Sequence, residues 1–340
     1  MNARMDDTLL QVDDLQVHFP RPGKGLFGRP EVVKAVDGVS FSLRRGSTLA
    51  VVGESGSGKT TTALAVMRLA PVTAGRMQLG DTDLGGLSGE ALRQARRRMQ
   101  IVFQDPFSSL NPRQRAGDAV RAPLDLMDVG TPAEREARVA ELFTQVGLRP
   151  EQRQLFPHQF SGGQRQRINI ARALATRPEL VVCDEPVSAL DIAIRAQILN
   201  LLARLQRELG LSYLFISHDM AVVEHICDDI AVMYLGQIVE RAPRQAFFAR
   251  PLHPYSVALM SAVPTVRGGR ERAARRIRLA GDPPSPINPP AGCRFAGRCP
   301  VAVPACSAET PPLREAAPGH WVRCIRVDHI YGVPRAPLAL

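Results

Sequence analysis

Residues 53–60 read GESGSGKT, directly behind the apolar run Thr48–Val52 and ahead of a helical pattern carried by Ala63, Leu64, Val66 and Met67. The order is strand, glycine-rich loop, helix, and the spacing fits G-x-x-x-x-G-K-S/T. Gly53, Gly56 and Gly58 let the backbone curl so that its N–H groups face an anion, and the following helix adds the positive end of its dipole. Glu54, Ser55, Ser57 and Thr61 complete the loop and its exit. Lys59 is placed to reach the β- and γ-phosphates of a nucleotide, and Thr60 to offer a hydroxyl to Mg²⁺.

The chain around this loop has 340 residues, which suggests two domains at roughly 150 residues each. With 45% hydrophobic, 22% charged and 5% aromatic residues, it is neither a disordered polyelectrolyte nor a disulfide scaffold. No apolar run approaches the ~18 residues of a membrane span. The start, MNARMDDTLL, lacks the apolar core of a signal peptide, so a cytosolic protein is expected. The net charge of +10 invites a nucleic-acid reading, but the basic residues are scattered and only Lys24, Lys34 and Lys59 are lysines, so no nucleic-acid partner is expected.

Up to about residue 262, short apolar runs alternate with helical patterns, the layout of an α/β fold with a largely parallel sheet. Beyond it, Val266–Arg278 carries six arginines, and the last 60 residues hold 12 of the 28 prolines, which excludes long helices there. The reading is a catalytic domain at 1–262 and a Pro-rich extension at 263–340.

A second strand, Leu180–Cys183, closes on Asp184 and Glu185. Side chains alternate along a strand, so the two acids can take different jobs, Asp184 in a Mg²⁺ shell and Glu185 polarising an attacking water. Lys59 and Asp184 stand 125 positions apart, which leaves room for a helical insertion at about 106–160. At its far end FSGGQRQR presents Ser161 as a helix N-cap, a second phosphate-binding geometry that one loop does not need and that points to a nucleotide supplied from elsewhere.

Taken together these motifs resemble those of the ATPase subunits of ABC transporters. FSGGQ at 160–164 is similar to the family signature, with Phe160 replacing the usual Leu; VVCDE at 181–185 resembles its second nucleotide motif and SALD at 188–191 its D-loop. Gln104 in VFQDP matches the Q-loop, and His218 in ISHD the switch histidine. Phe19 lies where an aromatic, more often Tyr, stacks on adenine. The resemblance implies a P-loop α/β nucleotide-binding domain with an inserted helical subdomain. It also implies ATP held between two such domains, with Ser161, Gly162, Gly163, Gln164 and Asp191 facing a nucleotide bound by the other subunit. Glu185, His218 and Gln104 are the implied catalytic residues, and Thr60, Gln104 and Asp184 the implied Mg²⁺ ligands.

Longer strings narrow the resemblance to the ATPases of dipeptide and oligopeptide permeases, most closely the second of their pair: AVDGVSFSLRRG at 35–46, FQDPFSSLNPR at 103–113 and LHPYSVALMSAVP at 252–264. The implied partners are a second ATPase, identical or a paralogue, two membrane-spanning permease subunits that meet the Phe107–Arg113 segment, and, indirectly, an extracellular substrate-binding protein. The implied place is the cytoplasmic face of the cell membrane. A non-transport ABC ATPase acting on nucleic acid or the ribosome is the alternative; long coiled-coil insertions or a second ATPase unit, which favour it, are absent from the sequence.

Cys293, Cys299, Cys306 and Cys324 fall within 32 residues, whereas Cys183 and Cys227 read as buried small apolar residues. The spacings lack the paired C-x₂-C of zinc ribbons, and the permease ATPases resemble this chain in carrying such a cysteine motif. A 4Fe–4S iron–sulfur cluster is the first reading; zinc and free thiols stay open. The Arg-rich run at 267–278 reads as a solvated linker.

Overall fold

The computed structural model describes residues 7–22, 31–263, 277–279 and 281–328. The strands are β1 (Thr8–Arg21), β2 (Glu31–Arg44), β3 (Thr48–Val52), β4 (Ala74–Leu79), β5 (Thr82–Asp83), β6 (Met99–Val102), β7 (Leu180–Asp184), β8 (Ser212–Ser217), β9 (Asp229–Tyr234), β10 (Gln237–Pro243), β11 (Arg314–Ala317) and β12 (His320–Val322). The helices are α1 (Lys59–Val66), α2 (Gly89–Arg98), α3 (Ala116–Leu126), α4 (Pro132–Gln145), α5 (Gly162–Leu174), α6 (Ile192–Leu209), α7 (Met220–Ile226), α8 (Arg244–Ala249) and α9 (Pro254–Ser261). Packing divides the chain into two compact units, one built from the segment ending at Gln11, Ser42–Thr48 and Met77–Ile216, the other from Val12–Phe41, Leu49–Arg76 and the chain from Ser217 onward. Neither unit ends at residue 262.

In the first unit β6, β7 and β8 run parallel, with Val102 opposite Cys183 and Val182 opposite Leu214. The side chains of β7 and β8 are buried on both faces, which explains why these strands read as apolar runs without alternation. Helices α3, α4 and α5 pack together within this unit. Thr131 and Glu134 form a reciprocal capping box at α4 with Pro132 at its first turn, a local reason for the helix to begin there.

The second unit pairs β3 with β9 in parallel, then β9–β10, β10–β12 and β12–β11 antiparallel. The expected parallel sheet thus holds for β3 and β9 and gives way to antiparallel strands from β10 onward. Among its described residues the proline-rich tail contributes β11, β12 and short 3₁₀ turns. It does not stand apart: Phe295 is in one core cluster with Val52, Val232, Tyr234, Phe247 and Tyr255.

Candidate nucleotide site and cysteine pocket

The phosphate loop is fixed by close backbone approaches that only glycine permits. Gly53 has φ +153° and a Cβ there would stand 2.1 Å from the Met233 carbonyl oxygen; Gly58 has φ +104° and a Cβ would stand 2.2 Å from that of Ala35. Lys59 opens α1, is 5% exposed, and turns back so that Nζ donates to the carbonyl oxygens of Gly53 (2.9 Å) and Glu54 (2.8 Å). Ser57 Oγ is buried with no hydrogen-bond partner among the described residues. An orphaned hydroxyl inside a glycine cradle, beside a lysine, fits a phosphate oxygen. Ser55, Gly56 and Thr60 are exposed on this loop, and Thr61 is half-buried behind it. Phe19, on β1, is 36% exposed and available for stacking; its neighbour His18 has Nε2 2.9 Å from Asp37 Oδ1. His218 is exposed just after β8, and Asp219 beside it caps α7 by accepting from the N–H groups of Ala221 and Val222.

The carboxylate half of the motif set belongs to the first unit. Asp184 ends β7 and is 5% exposed, while Glu185 is half-buried with φ +47°. That conformation costs a non-glycine residue on the order of 1–3 kcal/mol and clusters at functional positions. It is held by the Glu185 N–H, which donates to the Ile216 carbonyl at 3.0 Å, and by Gln104 Nε2, which donates to Glu185 Oε2 at 3.0 Å. Gln104 and Asp184 also line one cavity with Phe103, Asp105 and Arg172.

Ser161 caps α5 as expected: its Oγ accepts from the Gln164 N–H, and Gln164 Oε1 accepts from the Ser161 N–H. Gly163 touches α6, where a Cβ would lie 2.6 Å from Ile194 Cγ2. Phe160 is 4% exposed and serves as an apolar anchor. Asp191 stands at the N-cap of α6 without a side-chain cap bond, beside Ile192, which is 84% exposed.

Several residues that the motifs do not name complete these arrangements. Arg165 donates Nε to the carbonyl oxygens of Pro157 and Phe160 and lies 4.4 Å over the Phe107 ring, tying the signature segment to the segment after Gln104. The Tyr255 hydroxyl accepts from the Glu54 N–H at 2.8 Å, and Arg298 grips the Glu54 carboxylate. Arg294 pairs with Asp37 and donates to the Leu235 carbonyl. The partners lie up to 257 positions apart, so no local pattern announces them.

The four tail cysteines line one pocket together with His253, Phe295 and Arg326. Cys183 and Cys227 are buried elsewhere, as the sequence suggested. Burial raises the thiols of Cys293 and Cys299 and pushes Cys324 up to about 11. Among the described residues no group of three or more His, Cys, Asp or Glu side chains is arranged to hold a metal ion. The iron–sulfur expectation therefore has the convergence of four thiols and no formed metal site. The Arg-rich run is outside the described residues from 264 to 276. Among the described residues no helix is long and apolar enough to cross a membrane.

Two family models match: ABC transporter over residues 36–188, and oligopeptide/dipeptide transporter, C-terminal region, over residues 239–306. The chain is 49% identical over 333 residues to the oligopeptide transport ATP-binding protein AppF of Bacillus subtilis, covering 97% of this chain and 100% of that one. It is 48% identical to the oligopeptide transport ATP-binding protein OppF of Salmonella typhimurium, covering 96% and 99%. Among solved structures it is similar to the ATP-binding cassette MJ0796, a dimer bound to ADP and Pi (27% identity, TM-score 0.61, 69% of this chain and 99% of that one). It is also similar to cbiO1 of Clostridium perfringens, part of the ABC transporter complex cbiONQ (25% identity, TM-score 0.63, 80% and 100%). With a glycine-cradled lysine loop, a capped signature helix and a relative matched from end to end, this chain belongs to the ATP-binding proteins of the oligopeptide ABC transporters.

Proposed function

We propose that this chain hydrolyses ATP to power an importer of dipeptides, oligopeptides or related small solutes from the cytoplasmic face of the cell membrane. The observation that carries the reading is near full-length likeness to oligopeptide transport ATP-binding proteins, extending into the C-terminal region. Residues 53–61 bind the phosphates, with Lys59 neutralising them, and Phe19 stacks on the adenine. Thr60, Gln104 and Asp184 would hold Mg²⁺, which would supply charge neutralisation to the phosphates. Glu185 is the general base toward water, oriented by Gln104, and His218 steadies the γ-phosphate. Each chain carries one loop and one signature, so Ser161, Gly162, Gly163, Gln164 and Asp191 serve the nucleotide of a second ATPase subunit. Two permease subunits and an extracellular substrate-binding protein complete the assembly.

For the tail we propose that Cys293, Cys299, Cys306 and Cys324 hold a 4Fe–4S cluster, supported by their convergence on one pocket. Brown protein on anaerobic purification, bleached by Cys→Ser substitution, is expected; colourless protein containing zinc overturns it.

Gentle purification of the tagged chain from membranes, with mass spectrometry of what accompanies it, tests the main reading. Two multi-spanning proteins and a second ATPase are expected. Ribosomal proteins or nucleic acid without a membrane protein would replace the importer with the non-transport alternative. A Lys59→Ala chain that still bound ATP normally would remove the assignment of the loop.

A further inference from the structure

We propose that Arg298, carried on the cysteine-bearing turn of the tail, is a positioning residue for the phosphate loop: it sets the affinity for ATP by fixing and neutralising Glu54. The inference rests on the reading of residues 53–60 as the ATP phosphate site. Arg298 Nη1 donates to Glu54 Oε2 at 2.8 Å and Nη2 to Glu54 Oε1 at 3.3 Å, a two-pronged charge-assisted pair whose arginine side chain is 10% exposed. Glu54 is thereby held at three points, its N–H by the Tyr255 hydroxyl, its carbonyl by Lys59 and its carboxylate by Arg298.

Two physical consequences favour nucleotide. A loop already ordered loses less entropy when it closes on phosphates. A carboxylate on a loop that receives a polyanion also opposes binding unless a cation cancels it, and Arg298 lies in hydrogen-bond contact with that carboxylate.

The turn that delivers Arg298 is itself anchored. Phe295 is 1% exposed and packs edge-on to Tyr234 with ring centroids 5.3 Å apart, and 5.4 Å from Tyr255. Arg294 is pinned by Asp37 and the Leu235 carbonyl. Cys293 and Cys299 bracket the segment, so the tail reaches the nucleotide site through a braced element instead of a loose arm.

The test uses the full chain purified with its partners, with steady-state ATP hydrolysis as the readout. Arg298→Met, which keeps the packing stem, is expected to raise KM for ATP about tenfold while kcat stays within twofold. Arg298→Lys, which keeps the charge without the fork, should fall between it and wild type. The swap Arg298→Glu with Glu54→Arg should recover most of the KM lost by Arg298→Glu alone. A merely structural role would lower the folded fraction and leave KM unmoved. If Arg298→Met keeps KM within twofold of wild type, or the swap recovers nothing, the proposal falls. Lys59→Ala separates the two levels: normal ATP binding by that variant sinks the loop reading, whereas its loss beside an unchanged Arg298→Met sinks only the role of Arg298.

Discussion

Gln104 and Glu185 share a hydrogen bond of 3.0 Å in which the amide nitrogen donates to the carboxylate. They follow β6 and β7, neighbouring strands in parallel register with Val102 opposite Cys183, so Gln104 and Glu185, each two residues beyond that pair, come level with one another. The bond fixes a carboxylate oxygen on a residue whose backbone is already constrained at φ +47°. A water-activating base needs that fixity, because misorientation costs rate as surely as loss of basicity.

On the proposed role of Glu185 as the general base, Glu185→Gln removes the base while leaving the binding groups in place. Hydrolysis is expected to fall by about 10²–10⁴-fold, the usual worth of general-base assistance, with ATP retained in a closed dimer. Turnover assays and size-exclusion chromatography in ATP check this; unchanged turnover would end the role.

Gly163 has no room for a methyl group, since a Cβ would stand 2.6 Å from Ile194 Cγ2, a branched atom close to the α6 backbone. Gly163→Ala should lower stability by about 1–3 kcal/mol through overpacking. Thermal melts should show it, and a melting temperature equal to wild type would mean that α5 and α6 part more easily than this contact implies.

Glu240 is wholly buried, accepting from the N–H groups of Leu252 and His253 at 2.7 Å each and standing 2.7 Å from His320 Nε2. Glu240→Ala leaves two buried backbone donors without an acceptor, at about 1–3 kcal/mol for each. Glu240→Gln keeps an acceptor and should cost clearly less. Denaturant unfolding of the pair checks the order, and equal losses would contradict it.

Stability at low pH should depend in part on Glu179. Its hydrogen bond from Arg98 lowers its pKa most, burial opposes this, and Arg45 adds to the lowering. A depressed carboxylate contributes stability above its unfolded pKa that disappears as pH falls through the folded one, here below about pH 4.5. The side chain is 36% exposed, so the contribution is small and screened by salt. Glu179→Gln should flatten the acid limb of a melting-temperature profile; a limb as steep as wild type would exclude this pair as its source.

The parts of the molecule legible in the sequence are those encoded over short spans. The run from Thr48 to Met67 announces strand, loop and helix within about twenty residues, and Ser161 announces a helix start because an N-cap is a local device. Asp184 and Glu185 were visible as the end of an apolar run. Arg298 with Glu54 and His320 with Glu240 were not, for their partners lie 244 and 80 positions away and each residue alone looks like ordinary surface charge. Proline content argues against long helices in the tail, but composition carries no information about strand pairing, and the attachment of β12 to β10 came only from the structure.

That attachment changes what can be cut away. Val322 lies opposite Glu240 and Trp321 opposite Arg241, so the tail hairpin covers hydrogen-bonding groups along β10. A chain shortened to the catalytic motifs would bare that strand together with the apolar faces of Tyr234 and Tyr255, offering a template for unwanted pairing between molecules. Proteolytic loss of the last sixty residues should thus show up first as insolubility, before any question of nucleotide turnover arises.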